Sequence, residues 1–230
     1  MFEQYKYKTE LHAHTTPAST CSQITPEHMI EVYSKLGYTS IALTNHLITE
    51  ERDGKEKIKS YLDDFYKTRE LGKKQGINVI LGAEIRFTEN VNDYLIYGID
   101  EDELITIYDM LDLGIKEFYK QYKNEKYIII QAHPFRDMIT PVEYNSVDGY
   151  EVFNLHPGHN SRIGFAAQYA KAQGGIITAG TDYHHFNHEG MCAIITKEAV
   201  TNSVNLASIL KNNDYLIEVS GNIIIPNREL

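Results

Sequence analysis

The sequence predicts a single α/β domain spanning residues 1–230, built on mostly parallel strands. Three observations lead there. Short apolar runs of strand character alternate with segments of helical periodicity along the whole chain. Several runs, such as Ile128-Ile129-Ile130, show no polar alternation, which suits strands buried on both faces. No Pro/Ser-rich linker, low-complexity tract or fixed-period repeat interrupts the pattern.

Tyr5-Lys6-Tyr7-Lys8 alternates and reads as the first strand, leading into Glu10-Leu11-His12-Ala13-His14-Thr15. Thr25 suits a helix N-cap and Pro26 the first helical position. Met29, Ile30, Val32, Tyr33 and Leu36 form that helix's apolar face, and Gly37 suits its end. Residues 39–44 form a second strand that stops at Asn45-His46, and a charged stretch over 50–57 reads as a loop. A helix carrying Ile58, Tyr61, Leu62, Phe65 and Leu71 ends near Gly76. Residues 78–81 form a strand running into Glu84, and 94–97 another closed by Gly98. One long helix carries Leu104, Ile107, Leu111, Ile115 and Phe118, weakened at Gly114 by about 1 kcal/mol. The 127–130 strand arrives at His133-Pro134, and a further strand covers 149–153. A helix over 160–173 ends at Gly174-Gly175, and the 176–179 strand leads to Thr181-Asp182-Tyr183-His184. Residues 193–195, a helix with Val204, Leu206 and Leu210, and short strands at 215–217 and 223–225 complete the pattern.

Composition narrows the classes of function. The 42% hydrophobic content supports a sizeable core. No run approaches the ~18 apolar residues of a membrane span, so no membrane partner is expected. Met1-Phe2-Glu3-Gln4 lacks the basic-then-apolar form of a signal peptide. Cys21 and Cys192 are too few for a disulfide framework, and a reducing cytoplasm is the expected location. A net charge of −10 argues against charge-driven binding of a long nucleic acid, although bound divalent cations would offset several carboxylates.

The candidate chemistry lies where the strands stop. His12 and His14 stand two residues apart after the first strand, a spacing that turns both side chains to one face. His46 follows the second strand, Glu84 the third, His133 the 127–130 strand, and Asp182 with His184 the 176–179 strand. In a parallel barrel the carboxyl ends of the strands converge on one face, where the active site lies. Imidazole and carboxylate together suit zinc, manganese or iron. A bridging carboxylate, Glu84 or Asp182, would hold two divalent ions about 3.5–4 Å apart. Any one of the seven alone reads more simply as a loop hydrogen-bonder or a turn cap. Their joint placement on one edge carries the metal reading. Arg136, three residues past His133, and Arg162, opening the helix after the Glu151 strand, are candidates to bind phosphate. Arg86 reads as a surface ion pair, while Glu151 and Asn154 stand where they could orient ligands or substrate. His156 and His159 flank Pro157-Gly158, where turn chemistry and a place at the mouth are both open. Cys21 reads as a small semi-buried residue, with a thiolate ligand as the alternative.

His12-Ala13-His14, Thr44-Asn45-His46, Gly82-Ala83-Glu84, Ala132-His133-Pro134 and Gly180-Thr181-Asp182-Tyr183-His184 together resemble the PHP family, named for polymerase and histidinol phosphatase. The resemblance runs from about Glu10 to about His184. It implies a distorted (β/α)7 TIM-like barrel whose metal centre hydrolyses phosphoesters with a metal-activated water, acting on a small phosphorylated substrate. It assigns His12, His14, His46, Glu84, His133, Asp182 and His184 as ligands. The chain departs from the family pattern in three places: Asn45 stands where the family often has Asp, the stretch 16–22 lacks the usual acidic or His ligand, and Asp93 stands where some members have His. Two ions are therefore the expected count. The competing readings are an amidohydrolase-type hydrolase, whose modified Lys finds no counterpart at these strand ends, and a non-catalytic metal-binding regulatory module.

Overall fold

The structure, a computed structural model, describes residues 2–49 and 54–226. The chain opens with β1 (Tyr7–Ala13), α1 (Pro26–Lys35), β2 (Tyr38–Leu43), β3 (His46–Leu47) and α2 (Gly54–Gln75). It continues through β4 (Asn78–Leu81), β5 (Ala83–Arg86), β6 (Asp93–Tyr97), α3 (Glu101–Tyr108), α4 (Ile115–Tyr122) and β7 (Ile128–Gln131). Then come β8 (Gly149–Asn154), α5 (Ile163–Gln173), β9 (Ile176–Gly180), β10 (Cys192–Thr196), α6 (Ser203–Lys211), β11 (Leu216–Val219) and β12 (Asn222–Ile224).

Two hydrogen-bonded sheets run in the orders β12-β11-β10-β1-β2-β4 and β3-β5-β6-β7-β8-β9. Only Thr44 and Asn45 separate β2 from β3, and only Gly82 separates β4 from β5, so the same two strands pass from one sheet into the other. Tyr183, just past β9, bridges in parallel to Ala13 of β1 and closes the ring. The result is a distorted seven-stranded α/β barrel of β1, β2/β3, β4/β5, β6, β7, β8 and β9, with β10–β12 added outside β1.

The expectation of mostly parallel strands is corrected. β6 lies antiparallel to both β5 and β7, and β10, β11 and β12 add three further antiparallel pairings. The reason is connection length: residues 87–92 between β5 and β6 contain no helix, and a parallel neighbour needs a crossover of a dozen or more residues. The reversal matters for the site, because it brings the first residue of β6, Asp93, to the rim formed by the last residues of its neighbours.

Strand residues sort their side chains by parity into two cores. Ile41, Leu43, Ile96 and Ile129 pack outward under the helices. Ala42, Leu95, Ile128 and Ile130 face the other way, where Leu206 and Leu210 of α6 and Tyr215 pack against them. Helix ends follow local chemistry. The Thr25 side chain accepts from the His28 amide with Pro26 at the first helical position, as expected. α3 opens with a reciprocal Asp100–Glu103 capping box. The expected long helix over 104–118 is broken into α3 and α4. Gly114 adopts φ 75°, and the space a Cβ would need is taken by the Glu89 carboxylate, which accepts from the Ile115 amide. The charged stretch 50–57 is likewise revised: residues 50–53 lie outside the described residues, but α2 already starts at Gly54. The first strand is displaced too, running over Tyr7–Ala13 rather than 5–8, so His12 lies within it.

β1 is irregular where it matters most. Its pairing with β2 shifts register between Glu10 and Ala13, which strips the ladder from two amides. The Glu10 carboxylate replaces it: one oxygen accepts from the Leu11 and His12 amides at 3.0 and 3.1 Å and from the Thr181 amide at 2.9 Å. The other accepts from the hydroxyls of Thr181 and Tyr33. β8 carries a second register shift between Glu151 and Phe153. Replacing Glu10 by Ala leaves several buried donors unsatisfied. It should lower the unfolding free energy by at least about 3 kcal/mol in urea denaturation, a loss that Glu10→Gln should only partly show.

Candidate metal centre

The barrel mouth holds a cavity of about 220 Å³ lined by Cys21, His46, Glu84, Asp93, His133, Arg136, Asp182 and His184, with Arg86, His156, His159 and His185 completing the wall. Larger hollows of about 580 and 770 Å³ lie elsewhere, beside α2/α3 and around Asp148/Lys211, and collect no comparable set of imidazoles and carboxylates.

All seven residues that the sequence offers as candidate ligands converge here. His12, His14, Glu84 and Asp182 form one group and Glu84, Asp93 and His133 a second; a third is His14, His46 and His184; within each, the ligand atoms lie within 4.8 Å of one another. His12 Nε2 and His14 Nε2 each stand 3.3 Å from Glu84 Oε2 and 3.5 Å from Asp182 Oδ1. The other Glu84 oxygen, Oε1, lies 3.2 Å from His133 Nε2. Glu84 thus presents one oxygen to each of two groups, the arrangement a bridging carboxylate needs. His46 and Glu84 are not at strand ends: they belong to the short parallel pair β3/β5, opposite each other in register.

The surroundings fix the neutral tautomers of His12 and His14. His12 Nδ1 lies 2.8 Å from Glu151 Oε1, so it carries the proton and Nε2 keeps the lone pair. The Ser19 hydroxyl donates to Asn45 Oδ1 at 3.0 Å, so its oxygen is left to accept from His14 Nδ1 at 3.2 Å and from the His46 amide at 2.9 Å. His14 Nε2 is again the free lone pair. Asn45 Oδ1 also accepts from the Thr15 amide at 2.7 Å and its amide group donates to Asp64, so Asn45 is a brace and no ligand. Glu151 Oε2 accepts from the His133 amide and from Asn154, whose amide also reaches Asp182 Oδ2 at 3.2 Å. Gly180 permits this closeness: a Cβ there would stand 2.2 Å from Glu151 Oε1 and 2.4 Å from His12 Cβ. Two candidate ligand residues carry backbone strain, His133 at φ 29° and Asp182 at φ 55°.

The donor set fits metal ions. His12 Nε2, His14 Nε2, His46 Nδ1 and Glu84 Oε2 are buried yet have no hydrogen-bond partner, although each points at the same small space. Buried polar atoms are rarely left so. The electrostatics agree. Burial lowers the pKa of His12, but the charges of Glu151, Glu84 and Asp182 outweigh it and raise it well above the usual imidazole value. Burial likewise lowers and Glu84 raises that of His46, with a net rise. His184 is opposed by burial but pushed up to about 9 by its bond to Asp182. Burial, with His184 and His46 nearby, holds His14 well below the usual value and keeps it neutral. Despite burial, the facing imidazoles hold Glu84 and Asp182 well below the carboxylate range.

The arginines divide. Arg136 Nη2 donates to Asn154 Oδ1 at 2.9 Å and pairs with Asp182, and its buried Nε has no partner. Arg162 is not brought into the cavity: it donates to the Phe135 carbonyl at 2.7 Å and pairs with Asp137, beside Phe165 and Met138. Arg86 holds Asp93 through two bonds of 2.7 and 2.9 Å, an ion pair on the cavity wall rather than a solvated one. The sequence reading left three residues without these roles. Glu10 carries no ligand-type spacing, Ser19 sits in a bland turn, and buried Lys57, bound to the Ala18 carbonyl, is concealed in a charged run.

The PHP domain model matches residues 10–222. The PolC-type DNA polymerase III of Oceanobacillus iheyensis is 25% identical over 121 residues, which are 50% of this chain; the match spans 7% of that much longer relative. A structure from Bifidobacterium adolescentis, described as a candidate metal-dependent phosphoesterase, superposes with TM-score 0.53 at 14% identity, covering 88% of this chain and 95% of the other. A two-domain protein from Bacteroides vulgatus, described as containing a PHP-like metal-dependent phosphoesterase, superposes with TM-score 0.63 at 16% identity, covering 96% of this chain and 67% of the other. At these identities the likeness shows the shared fold.

The raised imidazoles make a testable statement about ion binding. Without an ion, His12, His46 and His184 hold protons at pH 7, below their raised pKa values. An incoming cation must displace those protons, so affinity should rise with pH through neutrality and fall in acid. Calorimetric titration with zinc or manganese at pH 7, in buffers of different ionisation enthalpy, should show net proton release. Zero release would mean the imidazoles bind no ion.

Proposed function

Because the chain belongs to the PHP domain family, we propose that it is a metal-dependent phosphoesterase acting on small phosphorylated molecules. The observation that carries this reading is Glu84, fully interior, offering its two oxygens to two separate groups of imidazoles and carboxylates, in the first of which His12 Nε2 and His14 Nε2 have no hydrogen-bond partner. His12, His14, Glu84 and Asp182 would hold one divalent ion and Glu84, Asp93 and His133 a second, with zinc, manganese or iron matching the donors. Bound there, such ions supply the Lewis acidity that makes water nucleophilic near neutral pH and offsets charge on phosphoryl oxygens.

The protein's own residues position and bind. Glu151 orients His12 and, through its backbone amide, His133. Asn154 fixes Asp182 and Arg136 relative to each other. Arg136 is the phosphate-binding group, because it lines the cavity and its Nε has no partner within the protein. A cavity of about 220 Å³ admits a phosphoryl group and little more, which favours a small phosphoester or a chain end over the middle of a long nucleic acid. Among the described residues no helix is long and apolar enough to cross a membrane. The free thiols of Cys21 and Cys192 fit the reducing cytoplasm we propose as its location.

Purified protein loaded with manganese or zinc should hydrolyse an aryl phosphate or an aryl phosphodiester, and the His12→Ala/His14→Ala double variant should lose at least about 10³-fold in kcat/KM. Full activity in that variant overturns the proposal, and cleavage of cyclic amides without phosphoester turnover would favour the amidohydrolase reading. Arg136→Ala should raise KM or lower kcat/KM by about 10–100-fold with metal content unchanged. Unaltered kinetics would remove Arg136 from phosphate binding.

A further inference from the structure

Residues 155–162, between β8 and α5, carry two imidazoles, His156 and His159, and both stand on the cavity wall. The His159 amide donates to the His156 carbonyl at 3.1 Å, closing a turn over Pro157-Gly158. Inside that turn the Gly158 amide donates to His156 Nδ1 at 3.0 Å. The fit is close: a Cβ at Gly158 would stand 3.0 Å from His156 Cε1 and 3.2 Å from Nδ1.

A ring nitrogen that accepts an N–H carries no proton of its own. His156 is therefore a neutral imidazole with its proton on Nε2, and a second proton on Nδ1 would break the bond to Gly158. The side chain is nearly buried, at 8% exposed, and among the described residues nothing accepts from Nε2. Arg136 is held beside it by a shared acceptor. Asn154 Oδ1 accepts from the Arg136 guanidinium at 2.9 Å, from the His156 amide at 3.3 Å and from the Ser161 hydroxyl at 3.1 Å. One oxygen thus fixes a charged donor and a neutral donor on the same wall. Arg136 brings a buried Nε without a partner, and His156 brings an Nε2–H without one. The His156 ring lies 5.8 Å from the ring of His184, at the edge of the candidate metal centre.

We propose that His156 is a second phosphate-binding residue, a neutral imidazole whose Nε2–H donates to a phosphoryl oxygen beside Arg136. The inference rests on the reading of the mouth as a phosphoester site and adds a donor to it. A neutral donor holds an oxygen without adding positive charge next to bound cations, and a preorganised one costs no rearrangement when charge develops on that oxygen. Turn chemistry and a place at the mouth are then one role: the turn selects the tautomer that the mouth uses.

The test exploits the two ring nitrogens. A Gln side chain carries its N–H out to about where Nε2 stands, whereas Asn reaches only to the level of Nδ1, where it can still accept from Gly158. The full chain, loaded with manganese, is titrated calorimetrically with inorganic phosphate and assayed on an aryl phosphate, with bound manganese measured for every variant. His156→Phe and His156→Asn should bind phosphate about 10–100-fold more weakly than wild type and lose kcat/KM by a similar factor, with metal content unchanged. His156→Gln should bind phosphate nearly as well as wild type. Wild-type phosphate affinity in His156→Phe overturns the inference and leaves the phosphoesterase reading standing. Retention in His156→Asn with loss in His156→Gln also overturns it, because that order marks a residue that serves only the turn. A loaded wild type that neither binds phosphate nor turns over the ester overturns the phosphoesterase reading, and this inference with it.

Discussion

The constraint on which the structure depends is the burial of negative charge at the bottom of the barrel mouth. Glu84, Glu151 and Asp182 are each at most 1% exposed, and they face His12, His14 and His133, which are no better solvated. Isolated carboxylates in such a place are costly, and breaking a compensated cluster costs more than the cluster gains. The protein meets the constraint with positive partners on every side: imidazoles that rise in pKa, the Arg136 guanidinium, and space between the unpartnered atoms that a cation would fill. A fold that only had to be stable would bury apolar side chains there. Keeping this cluster is a choice that chemistry, not packing, explains.

Meeting that constraint shapes the scaffold around it. Two register shifts, in β1 at Glu10–Ala13 and in β8 at Glu151–Phe153, fall at the level of the cluster and re-aim side chains that strict alternation would point elsewhere. Each has its own compensation. Glu10 satisfies the amides that β1 gives up, and Glu151 spans from His12 to the His133 amide. The strained backbone at His133 and Asp182 belongs to the same economy, since both residues leave the strand direction to reach the cavity. Gly180 is the counterpart in negative: the absence of a side chain lets β9 approach the His12–Glu151 contact.

Much of this was legible in the sequence and the rest has physical reasons for its silence. The alternation of strand and helix signals leads to an α/β fold, and the seven candidate ligands could be named because their residue types are conspicuous at or near the ends of strand signals. The direction of β6 was not legible: local pattern encodes a strand but not its orientation, which the short 87–92 connection decides. The break at Gly114 depends on Glu89 reaching across from another segment, a contact no local window contains. Glu10, Ser19 and Asn45 act through hydrogen bonds to backbone and rings, and such roles have no spacing to recognise. Arg162 illustrates the opposite failure. Its position at a helix start suggested an anion site, but it takes a left-handed backbone conformation, with φ 45°, and its guanidinium goes to Phe135 and Asp137 instead.

The charge balance of the cavity also couples ion and phosphate binding. Its wall carries the carboxylates of Glu84, Asp93 and Asp182 against the guanidiniums of Arg86 and Arg136, both already engaged with those carboxylates. Three carboxylates against two guanidiniums leave the wall net negative by themselves, and without ions the protons on His12, His46 and His184 offset that charge. Two divalent ions reverse the sign and turn the same walls into an anion site. Under the proposed function phosphate affinity would then rise with ion occupancy, and linkage makes the dependence mutual: a bound phosphoryl group must tighten the ions by the same factor that the ions tighten it. Under the proposed function, such a centre would hold phosphorylated ligands most tightly when the ions that would act on them are in place.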